Sequence, residues 1–485
     1  MSRDRWRALA GGLGLLILLA VPVALVLPKG TPPADDPWAH VPPHLPKTDH
    51  SDLLPGPFAD GPSVTRACLE CHEEAASEVM ATAHWTWEGD PVPVPGHEGL
   101  HRIGKKTAIN NFCISVQSNW AACTACHAGY GWKDASFDFT AQEDVDCLVC
   151  HDQSGQYVKS KAGLPAESVD LAASAQSVGG PTRDTCGSCH FKGGGGAGVK
   201  HGDLDTSLMN PTERVDVHMG RHEMLCTDCH VTEKHSLRGR SISVSVDQAN
   251  RASCTDCHAK EPHADSRIDL HTRSVACQTC HIPEVAIREA TKIHWDWSTA
   301  GKDQPEDPHH YLKKKGSFEY AELLRPEYAW FDGTADRYLL GDSTATEGAT
   351  VLNRPHGDRL DPNSLIWPFK IHRGKQIRDA ENGYLLVPKT AGEGGYWEDY
   401  DWDQAVRLGC EATGLEYSGR YDFAETEMYW ALTHMVAPAD HALQCGDCHE
   451  GGDVLDWEAL GYHGDPLEWG GRPLPPVTDL AEGTR

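Results

Sequence analysis

The sequence predicts short α-helices and loops with little β-structure, packed around bound groups rather than around an apolar core of its own. Three observations lead there. First, the 485-residue chain has 18 Cys, and sixteen of them stand in one repeated pattern, CxxCH. The eight copies are Cys68-Leu-Glu-Cys71-His72, Cys123-Thr-Ala-Cys126-His127, Cys147-Leu-Val-Cys150-His151, Cys186-Gly-Ser-Cys189-His190, Cys226-Thr-Asp-Cys229-His230, Cys254-Thr-Asp-Cys257-His258, Cys277-Gln-Thr-Cys280-His281 and Cys445-Gly-Asp-Cys448-His449. At this composition chance would supply about 0.04 such matches. Second, seven copies fall between Cys68 and His281, about thirty residues each, too little chain to build a separate hydrophobic core around every one. Third, the chain has 28 His, far more than the eight the motifs use. CxxCH is the attachment signature of c-type haem: two thiols add across the vinyl groups and the adjacent histidine binds iron. The fold class is therefore a multihaem cytochrome c, mainly short α-helices and loops around a haem core with little β, and the cofactor is eight covalently bound c-type haems.

Other chemistries fit less well. A disulfide framework suits an exported chain with an even number of cysteines, but gives no reason for a histidine after every pair. Zinc sites use paired CxxC groups, and eight identical CxxCH units exceed any zinc-ribbon pattern. Composition excludes a disordered chain, a collagen and a polytopic membrane protein, with 39% hydrophobic and 24% charged residues. The net charge of -28 repels polyanions at long range, so no nucleic-acid partner is expected.

The elements follow in chain order. Residues 1–30 form a signal or anchor segment: Arg3, Arg5 and Arg7 precede an uncharged run over residues 8–27, which Lys29 closes. A basic end before an apolar run is an export signal, and twenty residues can span a bilayer. No strong small-x-small cleavage site follows, so an uncleaved anchor in the inner membrane through residues 8–27 is preferred to a removed peptide. Either way the basic end stays inside and the rest becomes periplasmic. Residues 31–62 are a Pro-rich linker in which His40, His44 and His50 are expected to be solvated. Residues 63–290 are the motif-dense haem region, and residues 291–485 wrap it and carry the eighth motif. That last region holds seven of the fifteen Trp, at 295, 297, 330, 367, 397, 402 and 430, enough to bury a substantial surface. It also holds the basic cluster Lys370, His372, Arg373, Lys375 and Arg378, expected to pair with carboxylates or haem propionates rather than to form a substrate funnel. Residues 193–198, GGGGAG, read as a loop, since no strand precedes them.

Eight haems use His72, His127, His151, His190, His230, His258, His281 and His449, leaving twenty histidines. The sixth ligands expected from local context are His84, His201, His218, His235, His263, His271 and His434. His235 and His263 each lie five residues after a motif histidine, a span of at most about 18 Å, and so should serve neighbouring haems. His84 ends a helix-like run from Thr65 and His434 another from Phe423. Met80, Met428 and Met435 read as helix core, as does Cys410 within Ala405–Thr413, which points to low-potential bis-His haems rather than methionine ligation.

Several segments together resemble the octahaem tetrathionate reductase family: seven early motifs and one late, Asn110-Asn111-Phe112-Cys113, Gly129-Tyr130-Gly131-Trp132, Asp146-Cys147-Leu148-Val149-Cys150-His151-Asp152, Lys200-His201-Gly202-Asp203, the stretch from Ala276 to Pro283 and that from Thr433 to Pro438. The resemblance spans roughly residues 60–450. It implies a periplasmic reductase of tetrathionate, nitrite or hydroxylamine, in which seven haems are bis-His and one carries a distal lysine near an unpaired cysteine. By position the active-site haem is that of Cys123, Cys126 and His127, the cysteine is Cys113, and the lysine is Lys159, with Lys161 two residues on as the alternative. The implied partners are a small oxyanion or hydroxylamine-like substrate and an electron donor, a quinol oxidase module or another cytochrome. Twenty spare histidines are also enough to ligate every haem, so an electron-transfer wire without catalysis stands beside the reductase. A hydroxylamine-oxidising enzyme would want a cross-linked tyrosine, and no residue marks one.

Overall fold

A computed structural model describes residues 36–44, 46–111 and 115–473. The leader, with its apolar run over residues 8–27, and Cys113 lie outside the described residues. Among these no helix is long and apolar enough to cross a membrane.

From Gly61 to His281 the α-helices are four to nine residues long. Their starts are written locally. Asp60 and Ser63 form a capping box on Gly61–Leu69, Thr182 and Thr185 another on Arg183–His190, and Asp170 and Asp265 cap Leu171–Gln176 and Ser266–His271. Their ends come early because the chain must turn at each motif. The helix-like run from Thr65 to His84 is accordingly three pieces, Gly61–Leu69, Ala75–Met80 and Ala83–Thr86. Residues 193–198 are turn and bend.

The wrapping region carries a feature the sequence did not specify: a seven-stranded sheet whose first strand is Thr291–Asp296. Its spine is Leu365–Asp379, paired antiparallel with Tyr421–Ala431 along one edge. The other edge takes Glu327–Phe331 antiparallel and Thr291–Asp296 parallel. Gly316–Ala321, Tyr311–Leu312 and Thr350–Val351 complete it. The run from Phe423 is thus a strand, not a helix. Ala424, Thr426, Met428 and Trp430 alternate as buried positions, the period of two that a strand demands. Met428 is strand core, and Met435, also buried, takes a left-handed backbone (φ 61°). Cys410 is buried in the helix Trp402–Thr413, as expected.

The basic cluster splits by the same alternation. Arg373 and Lys375 point outward and pair with Glu427 and Glu425, their register partners on the next strand, while Arg378, one residue from the strand's end, is half-buried and pairs with Asp422. Lys370 and His372 point inward and are fully buried. One face of the sheet covers a core built around Trp295, Trp297, Trp402 and Trp430. Another part of it, through Trp367, Phe369 and Ile371, covers Ile242 and Ala276 beside the seventh motif.

Candidate metal centres

Each motif is little more than one helical turn, and the sequence supplies the closure. The histidine N–H donates to the carbonyl of the first cysteine from His72 to Cys68, His151 to Cys147, His230 to Cys226, His258 to Cys254 and His449 to Cys445, while the fourth and seventh motifs lie within the helices Arg183–His190 and Cys277–His281. Where the motif contains Asp, its carboxylate accepts the N–H of the residue before the first cysteine, Asp228 from Leu225 (2.8 Å), Asp256 from Ser253 (2.7 Å) and Asp447 from Gln444 (2.6 Å). Both thiols and the imidazole therefore leave one turn together.

Six motif histidines face a non-motif histidine. The ring centroids of His84 and His190 are 6.2 Å apart, His151 and His235 6.3 Å, His218 and His258 6.1 Å, His230 and His434 6.1 Å, His263 and His281 6.2 Å, and His271 and His449 6.2 Å. Interplanar angles meanwhile range from 14° to 76°. Contact between rings would couple angle to distance; a constant separation at free angle is what a common spacer imposes. Two collinear metal–imidazole bonds of about 2.0 Å, plus roughly 1.1 Å from each nitrogen to its ring centre, give about 6.2 Å.

The outer nitrogens agree. Nδ1 of His151 and His230 bond the carbonyls of Gly179 (2.8 Å) and Arg238 (2.7 Å). Nδ1 of His235, His263 and His449 bond Glu78 (2.8 Å), Asp269 (2.8 Å) and Asp465 (2.6 Å). His271 uses the Arg267 carbonyl (2.9 Å) and His434 uses Asp203 (3.2 Å). Such partners orient a metal-ligating imidazole and fix its tautomer, leaving Nε2 free. Burial pushes the His190 pKa down to about 3, so its imidazole stays neutral, as a ligand must. Among the described residues no cluster of three or more His, Cys, Asp or Glu could hold a metal ion. Two opposed nitrogens per site suit a porphyrin, which supplies the other four ligands itself. The cysteines fit the group too: the motif thiols other than Cys123 are free.

The second motif differs. The His127 N–H bonds the carbonyl of Thr124, one residue later than the usual closure. The ring is completely buried, caged by Trp85, Trp87, Trp132, Phe137 and Phe139 at 4.7 to 6.4 Å, and Nε2 bonds the Trp85 carbonyl (2.7 Å). Desolvation holds its pKa down at about 3. The side chain that reaches this motif is Lys159. Its Nζ donates to the carbonyls of His127 (2.5 Å) and Gly129 (3.2 Å) and to Asp146 Oδ2 (2.6 Å). Asp146 is itself fully buried and also accepts from Tyr130 OH (2.9 Å), Tyr157 OH (2.9 Å) and Val149 N–H (3.0 Å).

Motif thiols also touch one another: Cys68 with Cys147, Cys126 with Cys189, Cys186 with Cys226, and Cys254 with Cys277. Cys150 lies within electrostatic reach of Cys186, Cys229 of Cys257, and Cys280 of Cys445. The first, third, fourth, fifth, sixth, seventh and eighth motifs thus form one series, and the second branches from the fourth.

A family model described as bacterial cytochrome c matches residues 292–452. A crystal structure of octahaem cytochrome c from Shewanella oneidensis superposes with a TM-score of 0.82 at 48% identity, over 87% of this chain and 98% of the other. The chain belongs to the octahaem cytochrome c family. No curated protein sequence matches it.

Not every residue expected at a site of this octahaem cytochrome meets a motif. Among the seven non-motif histidines, His201 packs on Trp430 at 4.6 Å rather than opposite a motif ring, because the next strand brings the indole there first. His72 is exposed and belongs to none of the six facing pairs. Lys161 is exposed while Lys159 is not. His44, at the surface, bonds Asp228 (2.7 Å). Sequence reasoning gave no role to Asp146 or to the aromatic cage. Their only local signal is an Asp next to Cys147 and a run of Trp and Phe flanking the second motif.

Proposed function

We propose that this octahaem cytochrome c carries eight haems and is a periplasmic reductase, passing several electrons to a small sulfur or nitrogen compound such as tetrathionate, nitrite or hydroxylamine at the haem of the second motif. One observation carries the reading. Six motif histidines face a histidine partner, whereas buried His127 has a dry aromatic cage and a lysine, Lys159, brought to its motif. The six pairs would be bis-His haems, and the motif series would relay electrons from a quinol oxidase module or another cytochrome, with residues 8–27 as the inner-membrane anchor. Cys123, Cys126 and His127 would hold the reacting haem, which supplies the electrons when bound.

The chain's own residues supply the rest. A lysine binds iron only as the neutral amine. Asp146 Oδ2, 2.6 Å from Nζ, positions the lysine at the motif, and the Tyr130 and Tyr157 hydroxyls hold the carboxylate in place. The aromatic cage keeps bulk water from His127. Lys159 is then a weak ligand that substrate can displace, and Cys113 is the unpaired cysteine that the family resemblance assigns to the same haem.

The ion pair between Lys159 and Asp146 also favours a second reading, relay without catalysis, in which Lys159 stays an ammonium. Adding cyanide or nitrite to the oxidised and reduced protein separates the two. A spectral change in one haem of the eight, abolished together with turnover in Lys159→His while electron uptake persists, supports the reductase. Eight unreactive haems leave the relay.

A further inference from the structure

In a chain of net charge -28, an arginine buried without an anion is out of place. Arg337 is 2% exposed. Its Nη2 donates to the carbonyls of Ile242 and Ser245, but Nε and Nη1 have no partner. The neighbouring acids are committed, Asp336 to His356 and Asp247 to Arg240. Burial alone pulls its pKa down to about 10. Ile242 belongs to the same apolar cluster as Trp367, whose Nε1 is likewise buried and unpartnered, and the Arg251 guanidinium lies 5.1 Å over the Trp367 ring. Ionised groups are rarely buried unpaired, and three orphaned donors on one wall with no acceptor among them describe a site for a carboxylate or similar anion.

The wall lies against two motifs. Arg251 leads into Cys254, and the carbonyl of Ile366, next to Trp367, accepts from the Ala276 N–H (3.0 Å) and the Thr279 hydroxyl (2.8 Å) of the seventh motif. The thiols of Cys254 and Cys277 meet there. We propose that Arg337 and Trp367 bind a propionate of a haem carried by the sixth or seventh motif, Arg337 as a charged clamp and Trp367 as a neutral second donor. The inference rests on haem loading of those motifs. Its consequence is electronic: a propionate left unpaired stabilises ferric over ferrous iron, so the clamp holds that haem's potential up and makes it an easier electron acceptor than its neighbours.

The test is a spectroelectrochemical titration of the intact holoprotein and its Arg337→Met, Arg337→Lys and Trp367→Phe variants, with haem counted by mass. Arg337→Met should shift the reduction equilibrium of one haem tenfold or more towards the ferric form, which is about 59 mV for one electron. Trp367→Phe should move the same haem less, and Arg337→Lys should restore part of the shift. Unchanged potentials in Arg337→Met and Trp367→Phe, with all haems present, would overturn the proposal. So would stabilisation of the wild type but not of Arg337→Met by added phosphate, with no haem potential moved, since the ligand would then be a free anion. A wild type lacking haem on the sixth or seventh motif would instead remove the premise, and the mass reads that separately.

Discussion

Replacing Asp146 by Asn removes one charge from a site that water does not reach. The carboxylate is 0% exposed and its Lys159 partner 7%, so the pair is buried, and in the relay reading, where Lys159 stays an ammonium, breaking it from one side strands that charge. Removing one partner of a buried pair costs about 3–5 kcal/mol. Asn can still accept from Tyr130 and Val149 at Oδ1, but the amide NH2 that replaces Oδ2 can accept from neither Tyr157 nor Lys159, so the loss should fall inside that range. The assay is guanidinium denaturation of the holoprotein followed by far-UV circular dichroism, with the haem content of the variant checked first. Adding Lys159→Met should recover most of the loss, because the stranded charge goes with it, and the cycle would show a strong favourable coupling. A loss below about 1 kcal/mol, the range of solvent-exposed pairs, or strict additivity in the double variant, would refute the reasoning. The same variant informs the function. If Lys159 is a ligand, losing the carboxylate that positions its Nζ should change one haem spectrum. In a pure relay none does.

Two further outcomes are expected. The mature chain should weigh more than its polypeptide by eight haems, and a mass spectrum showing six or seven would identify a motif that is never loaded. His271→Met should raise the potential of one haem, that of the eighth motif, because thioether ligation favours ferrous iron; a redox titration in which no haem moves would show that the pair His271 and His449 is not an axial pair.

The aromatic cage and Asp146 give the second motif two features together, a cage of rings around His127 and a buried carboxylate that holds Lys159. The other described motifs have carbonyl or carboxylate partners on several outer imidazole nitrogens instead, which suits groups meant to stay six-coordinate. Specialisation here lies in the surroundings of a motif rather than in the motif, since all eight share CxxCH.

The sequence by itself determined what is local. The eight motifs, their closure into single turns and the capped starts of the short helices all depend on residues within about five positions of one another, where spacing and side-chain chemistry are enough. It could also say that His235 and His263 serve a motif other than the one just before them, from chain reach alone. Which partner each takes was decided by tertiary structure: His235 faces His151 across 84 residues and His434 faces His230 across 204, separations that no local pattern encodes. The strand Tyr421–Ala431 was misread as helix for the same reason, since a period of two is recognisable only when a sheet hides one face, and the sheet here is assembled from strands up to 130 residues apart. Lys159 and Lys161 differ in sequence only by their distance from Tyr157, which favours Lys159 through the family resemblance. Packing alone buried one against Asp146 and left the other in water, because burying an ammonium is tolerable only where a carboxylate already waits.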